Sequence, residues 1–111
     1  MTVLELEKRL QAREKGEDDF FLLDVRNPME QEICTIPGTD YLIPVKQIRS
    51  RFREIENFRP LNLDLIIYCR SGIRSFKALN ELEEQGFSGL FNLQGGILAY
   101  IKQVDPSLPR Y

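Results

Sequence analysis

Residues 68–75 read Tyr-Cys-Arg-Ser-Gly-Ile-Arg-Ser, a cysteine set among two arginines, a glycine and two serines. Cysteine sulfur reacts as the thiolate, and a free thiol with a pKa of about 8.5 is only a few per cent ionised at neutral pH. The chain contains no histidine, so every nucleophile–histidine dyad or triad is excluded and the thiol must be activated in another way. The neighbourhood offers one. The apolar run Leu63 to Tyr68 ends at Cys69, and a polar, helix-prone segment follows. The sulfur therefore sits where the carboxyl end of a strand runs into a helix N-terminus. The backbone N–H groups of residues 70 to 75 are expected to converge on it, with the positive end of the helix and the charges of Arg70 and Arg74 favouring an anion. Gly72 permits the tight bend that aims the amides inward. The alternative is a small buried hydrophobe at a strand end beside a solvated arginine edge, the usual fate of an isolated cysteine. The order strand, cysteine, glycine loop, arginine, helix favours an anion cradle around a thiolate.

The flanking elements are readable from periodicity. Thr2 and Glu5 form a capping box, and Val3, Leu6 and Leu10 continue at helical spacing to about Arg13. Phe20 to Val25 is short, apolar except for Asp24 and stopped by Asn27-Pro28, as a strand buried on both faces would be. Met29 to Ile33 predicts one or two helical turns before Pro37-Gly38, and Tyr41 to Ile43 a second strand. Pro44 suits a helix start, and Val45, Ile48, Phe52 and Ile55 predict a helix from about Val45 to Glu56. Leu63 to Tyr68 is a third strand, Ser75 to Gln85 a helix closed by Gly86, and Leu90 to Leu93 a fourth strand. Gly95-Gly96 then opens a last helix in which Ile97, Leu98, Ile101 and Val104 share a face. Strands alternating with helices imply an α/β fold with a mostly parallel sheet covered on both sides.

Composition bounds the function. A chain of 111 residues is the size of one domain, and 42% hydrophobic with 29% charged residues is ordinary for a globular core. A net charge of -2 and a pI near 5.2 speak against a broad nucleic-acid surface, so anion binding here must be local. No apolar stretch approaches the roughly 20 residues of a membrane span, and the N-terminal stretch lacks the pattern of a secretory signal. The reading is a cytoplasmic protein with thiols rather than a disulfide. Two cysteines without histidine cannot assemble the usual structural zinc site, so no metal and no cofactor are expected.

At this point the chain resembles a rhodanese-type sulfurtransferase over nearly its whole length. Leu22 to Thr39, LLDVRNPMEQEICTIPGT, is similar to the family's opening signature, in which an Asp-Val-Arg strand end precedes a Glu and an Ile-Pro-Gly turn. Ile66 to Ser75 resembles its active-site loop, and Leu93 to Tyr100, LQGGILAY, its late Gly-Gly helix start. The resemblance implies one rhodanese domain over residues 1–111, a three-layer fold with four to five strands. It also implies that Cys69 takes a sulfane sulfur from a donor such as thiosulfate, becomes a persulfide and hands the sulfur to a thiophilic acceptor. Loop amides from Arg70 through Ser71, Gly72 and Ile73 to Arg74 would hold the outer sulfur, and the two arginines would attract an anionic donor. Thr35 stands where a histidine is common and Tyr100 where a tryptophan is common; both are expected to be structural. Asp24, Arg26 and Ser75 are candidate supports. Arg26 is read foremost as a surface or intrachain salt-bridge residue, with anion binding as the alternative, and Asp24 as a strand-end hydrogen-bonding residue rather than a base. Cys34 reads as a small apolar filler, and Glu81 to Glu84 as a solvated helix face.

Two rival functions accompany this reading. Related cell-cycle phosphatases share the fold but place five residues between Cys and Arg, whereas four separate Cys69 from Arg74, a loop better suited to one sulfur atom. A non-catalytic binding module of the same fold is the other rival, although such modules often lack the cysteine. The ending VDPSLPRY also resembles the tail of rhodanese domains fused behind adenylyltransferases. That implies an adenylyltransferase and a ubiquitin-like sulfur-carrier protein, as in molybdopterin, thiamine or thiolated-tRNA synthesis, as partners, and a cysteine desulfurase is an alternative to thiosulfate as donor.

Overall fold

Thr2 opens the first helix through a reciprocal pair: its Oγ1 accepts the Glu5 N–H at 3.1 Å, and its own N–H donates to Glu5 Oε1 at 3.2 Å, satisfying two otherwise free helix-end amides. The computed structural model describes residues 1–59 and 62–111. Among them the helices are α1 (Val3–Glu14), α2 (Pro28–Ile33), α3 (Ile48–Phe58), α4 (Ile73–Glu84) and α5 (Gly96–Gln103), and the strands β1 (Phe21–Asp24), β2 (Tyr41–Leu42), β3 (Leu65–Tyr68) and β4 (Leu90–Asn92). A 3-10 turn at Val45–Gln47 precedes α3. No helix among the described residues is long and apolar enough to cross a membrane.

The strands form a four-stranded sheet in the order β2-β1-β3-β4, parallel at every pairing. Phe21 lies opposite Leu65 and Asp24 opposite Tyr68. Every residue of β1 and β3 is buried, which is why neither strand shows a polar alternation in the sequence. Their side chains nevertheless alternate between two cores. Leu22, Ile66 and Tyr68 pack with Val3 and Leu6 of α1 and with Ile97 and Ile101 of α5. Phe21, Leu23, Leu65, Ile67 and Cys69 pack on the other face with Ile48 and Ile55 of α3 and with Ala78 and Leu82 of α4. The result is a three-layer α/β fold.

Several boundaries differ from the sequence reading. The helix expected from Val45 begins at Ile48, because the chain leaving Pro44 first closes a tighter turn in which the Ile48 N–H donates to the Val45 carbonyl. The strand expected from Leu63 begins at Leu65, and the Asp64 carboxylate instead meets Arg9 at 2.9 Å. Strand β4 stops at Asn92, one residue early. Helix α4 begins at Ile73 rather than Ser75, since Gly72 at φ +107° lets the chain turn directly into it. Glu81 is buried and paired with Arg49 at 3.4 Å rather than solvated.

Candidate active site

Chain order and strand order together locate the point at which ligands bind in open α/β sheets. From β1 the chain passes to β2 on one side of the sheet, and from β3 to β4 on the other, so the carboxyl ends of β1 and β3 flank the point where the winding reverses. Cys69 is the first residue after β3 and is only 1% exposed. Its carbonyl accepts the Ile97 N–H at 2.9 Å, and the Arg70 carbonyl accepts the Leu98 N–H at 3.1 Å. The first turn of α5 thus engages the loop's oxygens, leaving its N–H groups for the sulfur. This grip requires glycine: a Cβ on Gly96 would lie 2.4 Å from the Arg70 oxygen and 2.6 Å from the Cys69 oxygen.

The sulfur accepts hydrogen bonds from the Gly72 N–H at 3.1 Å and the Ser75 N–H at 3.3 Å, and the Ser75 hydroxyl lies 3.3 Å away. Burial pushes the thiol pKa up, yet the Ser75 hydroxyl and the amides of Ser75, Gly72 and Ser71 outweigh it and bring Cys69 below the ordinary thiol range. The fully buried Ser75 hydroxyl also meets Asn92 Oδ1 at 2.5 Å. Helix α4 directs its N-terminus at the same point, and its first-turn amides have no partner within the helix.

The arginines are placed differently from the expectation. Arg74 does not reach out for an anion: its guanidinium makes a fork on Glu30 of α2, at 2.6 and 2.8 Å. Arg70 is exposed, and its Nε donates to the Tyr111 carbonyl at 3.0 Å, with Nη2 on the same oxygen. The Tyr111 hydroxyl donates to Glu30 at 2.7 Å and accepts from Arg26 at 2.9 Å. Arg74, and behind it Tyr111, hold the Glu30 carboxyl well down, at about 2, against the opposing effect of burial.

Arg26 makes the intrachain salt bridge expected of it, with Asp24, but from a buried position and not from the surface. It is fully buried and donates Nε and Nη2 to the two oxygens of Asp24 at 2.9 and 2.8 Å, with Nη2 also on the Cys34 carbonyl at 2.7 Å. Burial opposes its charge, but the bonds to Asp24 and Tyr111 prevail and its pKa is raised. Asp24, also fully buried, accepts from the Tyr68 hydroxyl at 3.2 Å. The pair therefore lies toward the face that carries Tyr68 and Cys34, opposite the core that receives Cys69. The two cysteines are free and sit in different cores. Thr35 donates to the Gln31 carbonyl at 2.7 Å, and Tyr100 is buried on α5. Ile73 and Phe76 of α4 and Met29 of α2 are exposed apolar side chains next in sequence to Arg74, Ser75 and Glu30.

Glu30, Asn92, Gly96 and Tyr111 escaped the sequence reading as site residues. Glu30 and the Gly-Gly pair stand inside recognised motifs, which is a signal of a sort; a lone Asn on a strand and a tyrosine far along the chain give none. A surface cavity of about 580 Å³, lined by Arg59, Asp64, Phe87 and Gly89 among others, opens at the amino ends of β3 and β4, away from Cys69.

Comparison with known proteins agrees with this architecture. The family described as Rhodanese-like domain matches residues 2–103. A protein named Sulfurtransferase from Allochromatium vinosum is 39% identical over 97 residues, covering 87% of this chain and 86% of that one. The "Probable adenylyltransferase/sulfurtransferase MoeZ" of Mycobacterium tuberculosis is 40% identical over 92 residues, 81% of this chain and 22% of its own length. The chain thus spans well under half of that relative and of another curated relative. The crystal structure of a rhodanese-like domain protein from Staphylococcus aureus superposes with a TM-score of 0.72 at 29% identity, covering 90% of this chain and 88% of that one.

Proposed function

Since the chain belongs to the rhodanese-like domain family, we propose that it is a sulfurtransferase in which Cys69 carries the sulfur as a persulfide. The thiolate attacks the outer sulfur of a donor, thiosulfate or a protein persulfide. A new bond to Sγ forms as the donor's sulfur–sulfur bond breaks, and sulfite or the donor thiolate leaves with the electron pair. A nucleophilic acceptor then takes the outer sulfur, and Cys69 departs as thiolate. No proton need pass through a histidine.

The observation that carries this reading is a buried sulfur receiving the Gly72 and Ser75 amides at 3.1 and 3.3 Å in a loop gripped by α5. Amides fixed in place before the reaction stabilise charge on sulfur without reorganising. The first-turn amides of Ile73 and Arg74 would serve the outer sulfur, with Arg70 and Ser71 at the rim. Asp24 and Arg26 support the loop indirectly, through Tyr111 and Glu30. The spacing from Cys69 to Arg74 favours sulfur over phosphate. Likeness to a relative named adenylyltransferase/sulfurtransferase supports a second kind of acceptor, the activated C-terminus of a ubiquitin-like sulfur carrier, which is an electrophile. There the outer sulfur of the persulfide attacks the carbonyl and expels the activating group, and a thiol reductant then cleaves the sulfur–sulfur bond to release the thiocarboxylate, with a cysteine desulfurase as a physiological donor of the sulfur.

Intact mass after incubation with thiosulfate, or with a cysteine desulfurase and cysteine, tests the chemistry. The expected result is a gain of one sulfur that disappears in Cys69→Ser and persists in Cys34→Ser. No gain with either donor would leave a binding module.

A further inference from the structure

The Ser75 hydroxyl has one hydrogen and two neighbours that compete for it. Its Oγ is 3.3 Å from Cys69 Sγ and 2.5 Å from Asn92 Oδ1. The Asn92 amide is oriented by its other end, where Nδ2 donates to the Gly72 carbonyl at 3.2 Å; turned over, it would set oxygen against oxygen there. An amide oxygen only accepts, so in this arrangement the Ser75 hydrogen lies on Asn92, and toward a protonated Cys69 the hydroxyl oxygen is the acceptor. Ionisation reverses the demand. A thiolate has no hydrogen to give, and a bond from the hydroxyl to charged sulfur is stronger than one to a neutral carbonyl, but it forms only if the hydrogen leaves Asn92. Strand β4 holds Asn92 opposite Ile67 of β3, which lies two residues before Cys69, so neither partner can simply drift away.

We propose that Asn92 is a positioning residue that governs the Ser75 hydroxyl, holding its hydrogen while Cys69 is a thiol and yielding it to sulfur when the thiolate forms. The thiol proton goes to solvent, and the hydroxyl turns from Oδ1 to Sγ. Asn92 thereby restrains the ionisation of Cys69 until the loop is called on to react. The charged groups around this centre do not reproduce the effect. Arg70 and Arg74 lie on the loop and the first turn of α4, with Arg74 neutralised by Glu30 of α2. The Asp24–Arg26 pair closes the end of β1, and Lys46 lies on the turn packed against α4. The Asn92 side chain is neutral, its backbone carbonyl accepts from the Met1 ammonium at 3.0 Å on the side away from its amide, and the first turn of α5 carries no charge.

The inference rests on Cys69 as the reacting sulfur, but its test needs no sulfur transfer. In a Cys34→Ser background, alkylation of Cys69 by iodoacetamide is followed by intact mass across pH. Asn92→Ala frees the hydroxyl for sulfur, so at a pH below the wild-type midpoint alkylation accelerates about threefold or more, and the midpoint moves down. Asn92→Asp keeps an acceptor for Ser75 and adds negative charge, so the midpoint moves up. Ser75→Ala removes the hydrogen, and adding Asn92→Ala to it changes nothing further. A role for Asn92 confined to bracing the loop gives another pattern, with Ala and Asp both raising the midpoint through loss of the amide bonds. That pattern, an unshifted Asn92→Ala, or an equal effect of Asn92→Ala with and without Ser75 overturns the proposal. Should Asn92→Ala not fold, Asn92→Asp with an unchanged or lowered midpoint overturns it alone. An intact alkylation pattern in a protein that takes sulfur from no donor would sink the sulfurtransferase reading and leave this one standing.

Discussion

Gly96→Ala places a single methyl group against the backbone of the cysteine loop, and its cost can be worked from contacts. The new Cβ would stand 2.4 Å from the Arg70 carbonyl oxygen, 2.6 Å from the Arg70 carbonyl carbon and 2.6 Å from the Cys69 oxygen. All three atoms are backbone, so no side chain can swing aside. Relief to ordinary contact requires the loop and α5 to part by about 1 Å. Overpacking of this kind costs about 1–3 kcal/mol, and the residue's φ of +60° adds about 1 kcal/mol for any L side chain. We expect a loss of about 2–4 kcal/mol in urea or thermal unfolding. The same displacement carries the loop relative to Ser75 and Asn92, so the amides at 3.1 and 3.3 Å from Sγ separate unequally. A shift of that size costs about a hundredfold in sulfur transfer from thiosulfate to cyanide. It also raises the pH at which Cys69 becomes alkylated.

Gly86→Ala is the control. Gly86 also has a positive φ, +91°, but nothing lies within 4 Å of its would-be Cβ. It should lose about 1 kcal/mol and no activity. The contrast between the two variants isolates the contact from the backbone conformation. A Gly96→Ala protein within about 1 kcal/mol of wild type, or one whose Cys69 alkylates on the wild-type pH profile, would refute the argument that α5 fixes the loop.

Two further substitutions probe the network behind the loop. Glu30→Gln removes the carboxylate that Arg74 and Tyr111 hold at a pKa of about 2 instead of the ordinary 4.5. A lowered pKa adds stability that is complete above about 4.5 and vanishes as pH falls toward 2. The variant should therefore be about 1–3 kcal/mol less stable at pH 7, and the gap should close across that acid window; a gap independent of pH would show that charge is not its cause. Arg26→Met leaves Asp24 buried without its partner, a loss of about 3–5 kcal/mol by urea titration, whereas adding Asp24→Leu should restore much of it. A double variant no better than the single one would mean that the pair's shape, rather than the stranded charge, matters.

Local features of the fold were legible because they are written in short stretches. The capping box at Thr2, the largely apolar runs of β1 and β3 and the stop at Asn27-Pro28 each depend on neighbouring residues alone. Boundaries went astray where a neighbour in space decided them. Asn92, the last residue of β4, meets the Gly72 carbonyl of the loop, and the Asp64 carboxylate just before β3 is paired with an arginine 55 positions earlier. Glu81 belongs to an acidic run that reads as solvated, yet Arg49 packs over it from α3.

The candidate site divides along the same line. With no histidine and a cysteine between a mostly apolar run and a helix, the sequence by itself excluded a histidine partner for the sulfur and pointed to amides and fixed charge in its place. Which amides reach it was a matter of tertiary structure. Gly72 and Ser75 do so because α5, arriving from beyond β4, engages the loop's carbonyls. Strand order decided that this happens where the sheet's winding reverses. It also decided that Arg74 faces Glu30 and that Arg70 meets Tyr111. Spacing along a chain reports which charges are present, but whether a charge is free or already satisfied depends on residues that folding alone brings together.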